Sequence, residues 1–508
     1  MKYLKYCVLL IMVLVFIQHH IQAQSVISSE SVLSNLSGIR TISRVFGSPA
    51  KTMTYYYEKT SYKNVFVFPN TSPFNMANRF ALPDEAGVGG GITYTINDIV
   101  IIGEMCYFCG KKKFENGYQY DLNNNIIIMY DSVGFVGRFS LSNVTPSSGA
   151  SLKYSMRTIA GTLDIKQMDK YTSVNRQDTL LGMTGVANDA SKTSCLIFMK
   201  GAGSAWQSHV RLASSTTETF TDVIFTDKRI VAVSRKQGET MKFYLRSAIT
   251  EDVFDNQLYS DLDDMNEFFT GGMHVWFSSD TPTWHYDNVQ MRLCSIPESD
   301  EFYVAHESFF PIPTYGVTKN NISLYKMDAQ NAQYQMNRID MPTAQFVEGD
   351  ISDTGTFADM AFLNYNNSTS TLLLHQTTNS TATYKSILQV ASWSNIGTIT
   401  NLVNSSNSFK SIDVRENRYI YASGIMPGSN DKIVRLFQDA VFLGGSCYGT
   451  ASLAAYEMTP CPISMVIATP LQWHSATSLQ WGTSSMVNAT SVPVTDNCMK
   501  VSWTFGDQ

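Results

Sequence analysis

Charge is scarce in this chain: only 16% of its 508 residues are Asp, Glu, Lys or Arg, and the net charge is −6. Binding to phosphate backbones takes clustered Lys and Arg. The one tight basic cluster is Lys111-Lys112-Lys113, placed where an apolar run ends and read as a solvated turn. There is thus no electrostatic case for nucleic acid or for an anionic membrane. Helical periodicity is equally scarce. Its clearest candidate, the acidic stretch 251–269, reads as well as an inserted loop. After the N-terminus no apolar run approaches the roughly twenty residues that a membrane helix needs.

Catalytic signatures are missing as well. The histidines after the N-terminal segment (His209, His274, His285, His306, His375 and His474) form no HExxH, no HxH and no Cys-His cluster with metal-ligand spacing. No GxSxG elbow occurs, which removes the simplest hydrolase reading. Gly87-Val88-Gly89-Gly90-Gly91 precedes a strand and not the helix that a phosphate cradle needs, so it reads as a flexible loop. Asp261-Leu262-Asp263-Asp264 lacks the alternating ligands, the glycine and the closing glutamate of a calcium loop. Neither a metal nor a cofactor is implied.

What is present is repetition. Asp98–Gly110, Asp222–Ser234 and Ser411–Ser423 superimpose without a gap, each an apolar strand, a polar turn and a second apolar strand. Weaker copies fill the spaces between, with first strands beginning near 98, 180, 222, 290, 359 and 411, about sixty residues apart. Third strands are expected at Gly134–Ser140, Ser208–Ala213, Met241–Arg246, Ile322–Lys326, Ser386–Ala391 and Ile433–Phe437. Turn signals every eight to twelve residues and a 12% aromatic share complete an all-β pattern. A supersecondary unit repeated this often predicts a β-propeller of six or seven blades. Met53–Lys59 and Asn64–Phe68, with Met499–Phe505 from the other end, supply a seventh blade shared by both termini. From about Gly444 the chain reads either as a small separate β domain or as this closing blade.

The N-terminus carries its own signal. Lys2 and Lys5 precede an apolar run from Cys7 to Ile17, and a polar stretch ends at Ala23. This is the layout of a secretory signal peptide over residues 1–23. It predicts export to the periplasm, cell surface or medium, with no integral membrane segment once the signal is removed. In an oxidising compartment cysteines are expected to pair. Seven remain after Cys7, an odd number, so at least one is free or bonded to another chain. Cys106 and Cys109 have CxxC spacing, but inside a strand residues three apart point to opposite faces, so both are read as core. Cys447, Cys461 and Cys498 crowd the C-terminus, and two of them are expected to bridge.

The unit Asp98–Gly110, followed by Gly134-Phe135-Val136-Gly137-Arg138-Phe139, resembles a blade of the poorly characterised secreted β-propeller proteins of Bacteroidetes. The Ala23-Gln24 end of the signal peptide has a similar look. The resemblance implies a fold and a compartment, and no chemistry. Ser278–Trp284 is similar to the Asp-box turn SxDxGxTW of sialidase-type propellers, short by one residue and with Pro282 where glycine is expected. That box is a structural turn and carries no catalysis.

The densest grouping of ligand-type side chains is His274, Trp276, Trp284, His285 and Tyr286, suited to a sugar-binding groove or to the cores of two adjacent strands. With no catalytic signature, the expected function is a binding or scaffold module for a glycan or protein partner. The alternative is a glycan-active enzyme, a hydrolase or lyase, with its site at the channel mouth; a structural or adhesion protein is the third reading. Carboxylates gathered at that mouth with Arg, His or Tyr would favour the enzyme.

Overall fold

The computed structural model describes most residues between Ser25 and Ser502. Residues 1–24 and 503–508, several connections between strands, and the stretches 143–151, 251–270, 277–290 and 341–353 lie outside the description. The described chain is all-β, with antiparallel pairing throughout. Among the described residues no helix is long and apolar enough to cross a membrane.

After β1 (Ser25–Leu33) comes a meander of β2 (Gly38–Phe46), β3 (Lys51–Glu58), β4 (Asn64–Pro69) and β5 (Met76–Ala81). A short arm, β6 (Glu85–Gly87), leads into β7 (Gly90–Ile102) and β8 (Met105–Phe114). The side hairpin of β9 (Gln119–Tyr120) and β10 (Ile126–Ile128) precedes β11 (Ser132–Ser140) and β12 (Leu152–Thr158), which complete the second sheet. The third sheet is β13 (Thr162–Thr172), β14 (Asp178–Asp189), β15 (Lys192–Ala202) and β16 (Ala205–Ala213). The fourth is β17 (Glu218–Phe225), β18 (Arg229–Lys236), β19 (Lys242–Ile249) and β20 (Gly271–Trp276). The fifth is β21 (Met291–Ser295), β22 (Glu301–Ile312), β23 (Val317–Asp328) and β24 (Met336–Asp340). The sixth is β25 (Thr354–Tyr365), β26 (Ser368–Thr378), β27 (Thr383–Ala391) and β28 (Ile396–Ser405). The last meander, β29 (Ser408–Arg415), β30 (Tyr419–Met426) and β31 (Lys432–Asp439), has three strands of its own, and β1 pairs with β31 as the fourth.

The remaining strands are β32 (Ala451–Glu457), β33 (Thr459–Cys461), β34 (Ile463–Ile467), β35 (Gln472–Ser475) and β36 (Gly482–Ser502). They pair with the outermost strands in reverse chain order: β32 with β28, β33 with β24, β34 with β20 and β35 with β16. The long β36 then pairs with β12, β5 and β1 in turn. The C-terminal chain is therefore a belt that supplies a fifth strand to each sheet and covers edges that would otherwise be open to pairing with other chains. Cys447 and Cys498, 51 residues apart, are bonded across its two ends. Of the three candidate cysteines these are the pair, and Cys106, Cys109, Cys195 and Cys294 take no part in a disulfide.

The cores lie between neighbouring sheets. Cys106 packs with Phe66, Phe108 and Phe139 between the first and second sheets, while Cys109 packs with Ile165, Leu181 and Ile197 between the second and third. Three residues apart on β8, the two thiols serve different cores, as the pleat requires. The ring cluster of Phe66, Phe68, Phe108, Phe135 and Phe139 has centroid separations of 5.0–6.3 Å and mostly edge-to-face contacts.

Several expected positions move. The unit placed at 180 is a second strand; its first strand is β13, and Ser208–Ala213 is a fourth strand, not a third. Of the Met53–Lys59 and Asn64–Phe68 segments, residues 53–58 and 64–68 fall in β3 and β4 of the first sheet, whereas Met499 pairs with Ser29 of β1 beside the last meander. Both termini do meet in one sheet, but through β1 and the end of β36. The Lys111–Lys113 triple sits within β8 and not in a turn, with the Lys112 ammonium 5.6 Å from the Tyr94 ring centroid. Gly87 and Gly90 pair across a hairpin where a flexible loop was expected. The stretch 251–269, the acidic 261–264 run and the 278–284 turn lie outside the described residues.

Gly110 and Gly424 occupy matching places, opposite Ile96 and Phe409 and just before a bulge in the first strand. A Cβ at Gly110 would overlap the Thr95 carbonyl, and one at Gly424 would overlap Ser408 and Phe409 backbone. Because backbone cannot swing aside, Gly110→Ala or Gly424→Ala should cost about 3 kcal/mol, at the upper end of overpacking effects. The urea midpoint would measure this; unchanged midpoints in both variants would count against the bulge as a rigid feature.

Candidate functional site

Each first strand lies against the first strands of its neighbours: β2 on β7, β7 on β13, β13 on β17, and so on through β21, β25 and β29, which returns to β2. Between them is a cavity of about 940 Å³ lined by all seven. The sequence repeat acquires a physical meaning here. Asp98 accepts the N–H of Ile99 on its own strand at 2.7 Å and that of Met168 on β13 at 3.0 Å. Asp222 does the same with Val223 (2.9 Å) and Leu293 of β21 (2.8 Å), and Asp359 with Met360 (3.0 Å) and Ile412 of β29 (3.1 Å). Each carboxylate is a clip that ties one sheet to the next, and each sits at a bulge in its own strand.

Because each clip spans residue i+1 of its own strand and its counterpart on the next, Gln167, Arg292 and Ser411 stand level with Asp98, Asp222 and Asp359. Two residues further along, Asp169 and Asp413 accept from Phe225 of β17 and Val45 of β2, both at 2.8 Å. Between β2 and β7 the tie is Arg44, whose Nε donates to the Ile99 carbonyl at 2.6 Å and whose Nη2 meets Asp98 at 3.0 Å. Burial opposes the charge on Arg44, but Asp98, Asp413 and Asp359 outweigh it and hold its pKa above the ordinary value. Lys170 donates to the Ile101 carbonyl; burial lowers its pKa, partly offset by Asp169 and Asp413.

Burial raises the acid pKa values in the wall. Asp169 is pushed up to about 6 and Asp222 to about 7, and Asp359 and Asp413 rise for the same reason against the pull of Arg44. The folded state therefore holds these protons more tightly than an unfolded chain with carboxyl pKa near 3.9. Stability from this source is present below about pH 4 and is lost as pH rises through 6 to 7. A loss on the order of 1–2 kcal/mol between pH 5 and 8 is expected, tempered by water in the cavity. Thermal unfolding across that range would measure it, and Asp222→Asn should flatten the slope; a midpoint that climbs with pH would refute the assignment.

Cys294 also faces this cavity, and burial, then the nearby Asp359, Asp169 and Asp222, push its thiol pKa up, so it is no nucleophile at neutral pH. Among the described residues no group of three or more His, Cys, Asp and Glu side chains could hold a metal ion. His274 and Trp276 lie on β20, the fourth strand out from the cavity, and Trp284, His285 and Tyr286 fall outside the described residues. Taken one by one along the sequence, the groups that do converge carry no mark of a site. The signal that could have found them is the recurrence of Asp at 98, 222 and 359, each opening an apolar triplet. Compared with known proteins, the chain matches no protein-family model and no curated protein.

Proposed function

We propose that the protein is an exported seven-bladed β-propeller that works as a binding module, taking its ligand into the central cavity. The blade reading is supported by seven meanders packed side by side around one cavity, with β1 completing the last and the belt edging each. Export is supported by the signal-like residues 1–23 and by a Cys447–Cys498 bridge, which belongs to an oxidising compartment. The cavity is the observation that carries the binding role: at about 940 Å³ it falls within the roughly 300–1,000 Å³ of small-molecule sites. Its carboxylates spend oxygens on backbone N–H groups, which is a structural duty and leaves binding favoured over catalysis.

The glycan-active enzyme is the second reading, and one observation favours it. Asp222, with its pKa near 7 and Arg292 beside it, is a carboxyl still partly protonated at neutral pH, as a general acid must be. A screen of glycans and peptides, run with product analysis on each hit, separates the two. Binding without turnover supports the module; product that disappears in Asp222→Asn supports the enzyme. If every hit survives substitution of cavity residues, the cavity is not the site.

A further inference from the structure

Six cationic side chains line the cavity, Arg40, Arg44, Lys170, Arg292, Lys410 and Arg415, against five carboxylates. Most of the cations have structural work. Arg40 donates to Asn97 at 2.8 Å, Arg415 to the Phe46 carbonyl at 2.9 Å, and Arg44 is the tie between β2 and β7. Arg292 differs. It stands on β21 at the level where β7, β17 and β25 carry their clip aspartates, yet it clips nothing. Its hydrogen bond is a long one, 3.3 Å from Nη1 to the carbonyl of its neighbour Met291, so its charge acts on Asp222 and Asp359 while its Nε–Nη2 edge makes no hydrogen bond among the described residues. Gln167, at the same level on β13, also lines the space.

We propose that Arg292 is the anchor of a site for a carboxylate-bearing saccharide in the central cavity. The inference rests on the reading of that cavity as a ligand site and names its chemistry. A planar guanidinium edge matches a carboxylate in two parallel hydrogen bonds. Around it the wall offers the Gln167 amide, the hydrogen of the Ser411 hydroxyl, whose oxygen accepts from Arg44 at 3.0 Å, and the lone pairs that Asp222 and Asp359 have left after their clips and Asp98 after its clip and its Arg44 pair. Hydroxyl groups, which donate and accept at once, satisfy such a wall better than an apolar acid would. A plain carboxylic acid would engage Arg292 and leave those groups unmet, and a neutral sugar would leave the arginine unmet.

The test is calorimetric titration of the purified protein with galacturonate and mannuronate trimers, the neutral galactose trimer and succinate. At least one uronate trimer should bind tenfold or more tighter than the galactose trimer and than succinate. Arg292→Gln should erase that margin while the protein keeps a cooperative thermal transition, and Arg292→Lys, which keeps charge but not the fork, should fall between. Equal affinity for acidic and neutral trimers, or a margin that survives Arg292→Gln, overturns the proposal. So does succinate binding as tightly as the uronates, or no binding by any of the four. A ligand of other chemistry from the wider screen, lost in cavity variants, would leave the binding module standing while this assignment falls.

Discussion

Replacing Cys498 with serine should lower the stability of the protein by about 4 kcal/mol. The bridge to Cys447 closes a loop of 51 residues, and the chain-entropy cost that such a closure removes from the unfolded state is of that size. Here the loop is the belt itself. The Cys447 N–H donates to the Ser28 hydroxyl at 3.1 Å, and Cys498 pairs with Glu30, so both ends of the belt are held at β1. Between them the backbone has touched every sheet once. The bond makes a closed hoop out of strands that are individually short: β33 has 3 residues, β35 has 4 and β34 has 5. Strands so short hold poorly alone, so opening the hoop should also expose 444–508 to proteases before the meanders unfold. Denaturant midpoints with and without reductant would measure the first effect, and timed proteolysis the second. A wild-type midpoint indifferent to reductant, with the bond shown to be reduced, would sink the hoop as a source of stability.

Arg246→Ala should cost about as much, roughly 3–5 kcal/mol, by stranding a buried carboxylate. Arg246 on β19 reaches Glu218 on β17 in two parallel bonds, Nε to Oε1 at 2.8 Å and Nη2 to Oε2 at 2.5 Å. Ser234 of β18 adds its hydroxyl to Oε1 at 2.7 Å, so one network crosses the first three strands of the fourth sheet. Their side chains are only 2% and 1% exposed, and the guanidinium lies 5.9 Å from the Phe220 ring centroid. The double change Arg246→Met with Glu218→Leu removes both charges together and should recover most of the loss, because two apolar groups of similar size need no pairing. Urea unfolding of the single and double variants would decide it. A double variant no better than Arg246→Ala would mean that the cost is one of packing and not of an unpaired charge.

The parts of this molecule that were legible in its sequence share one physical property. Second strands such as 106–109, 230–233 and 302–305 are covered on both faces by neighbouring sheets, so they read as apolar runs. The first strands are packed on both faces too, Ile99 and Val100 or Val223 and Ile224 falling in different cores, but β2 and β13 carry more polar residues and read less clearly as strands. In β13 the run Thr-Leu-Asp-Ile-Lys-Gln-Met-Asp-Lys-Tyr-Thr alternates buried with open positions, and β2 holds Arg40, Thr41, Ser43 and Arg44 among its apolar residues. The cavity is walled by all seven first strands, polar and apolar alike.

The candidate site was harder still. Asp98 and Asp222 headed two of the aligned copies, and Ser411 headed the third, where the clip moves two residues on to Asp413. Nothing in a linear pattern separates a carboxylate bonded to the next sheet's backbone from one facing solvent. Nor does it show that Arg292, level with the aspartates, lacks their duty. The aromatic group at 274–286 is dense along the chain, and local density says little about which strand faces the centre.

By itself, then, the sequence determined the all-β class and the recurrence of a two-strand unit, because pleated burial imposes its period on residues close in the chain. It determined that Cys106 and Cys109 serve opposite faces, since three steps along a strand reverse the side chain. Only the tertiary structure decided that residues 451–502 edge every sheet, that Cys447 bonds Cys498, and that seven first strands bring Asp98, Asp169, Asp222, Asp359 and Asp413 round Arg44 and Arg292. Those contacts join residues tens to hundreds of positions apart. Their partners are chosen by which sheet packs on which, and no local pattern carries that choice.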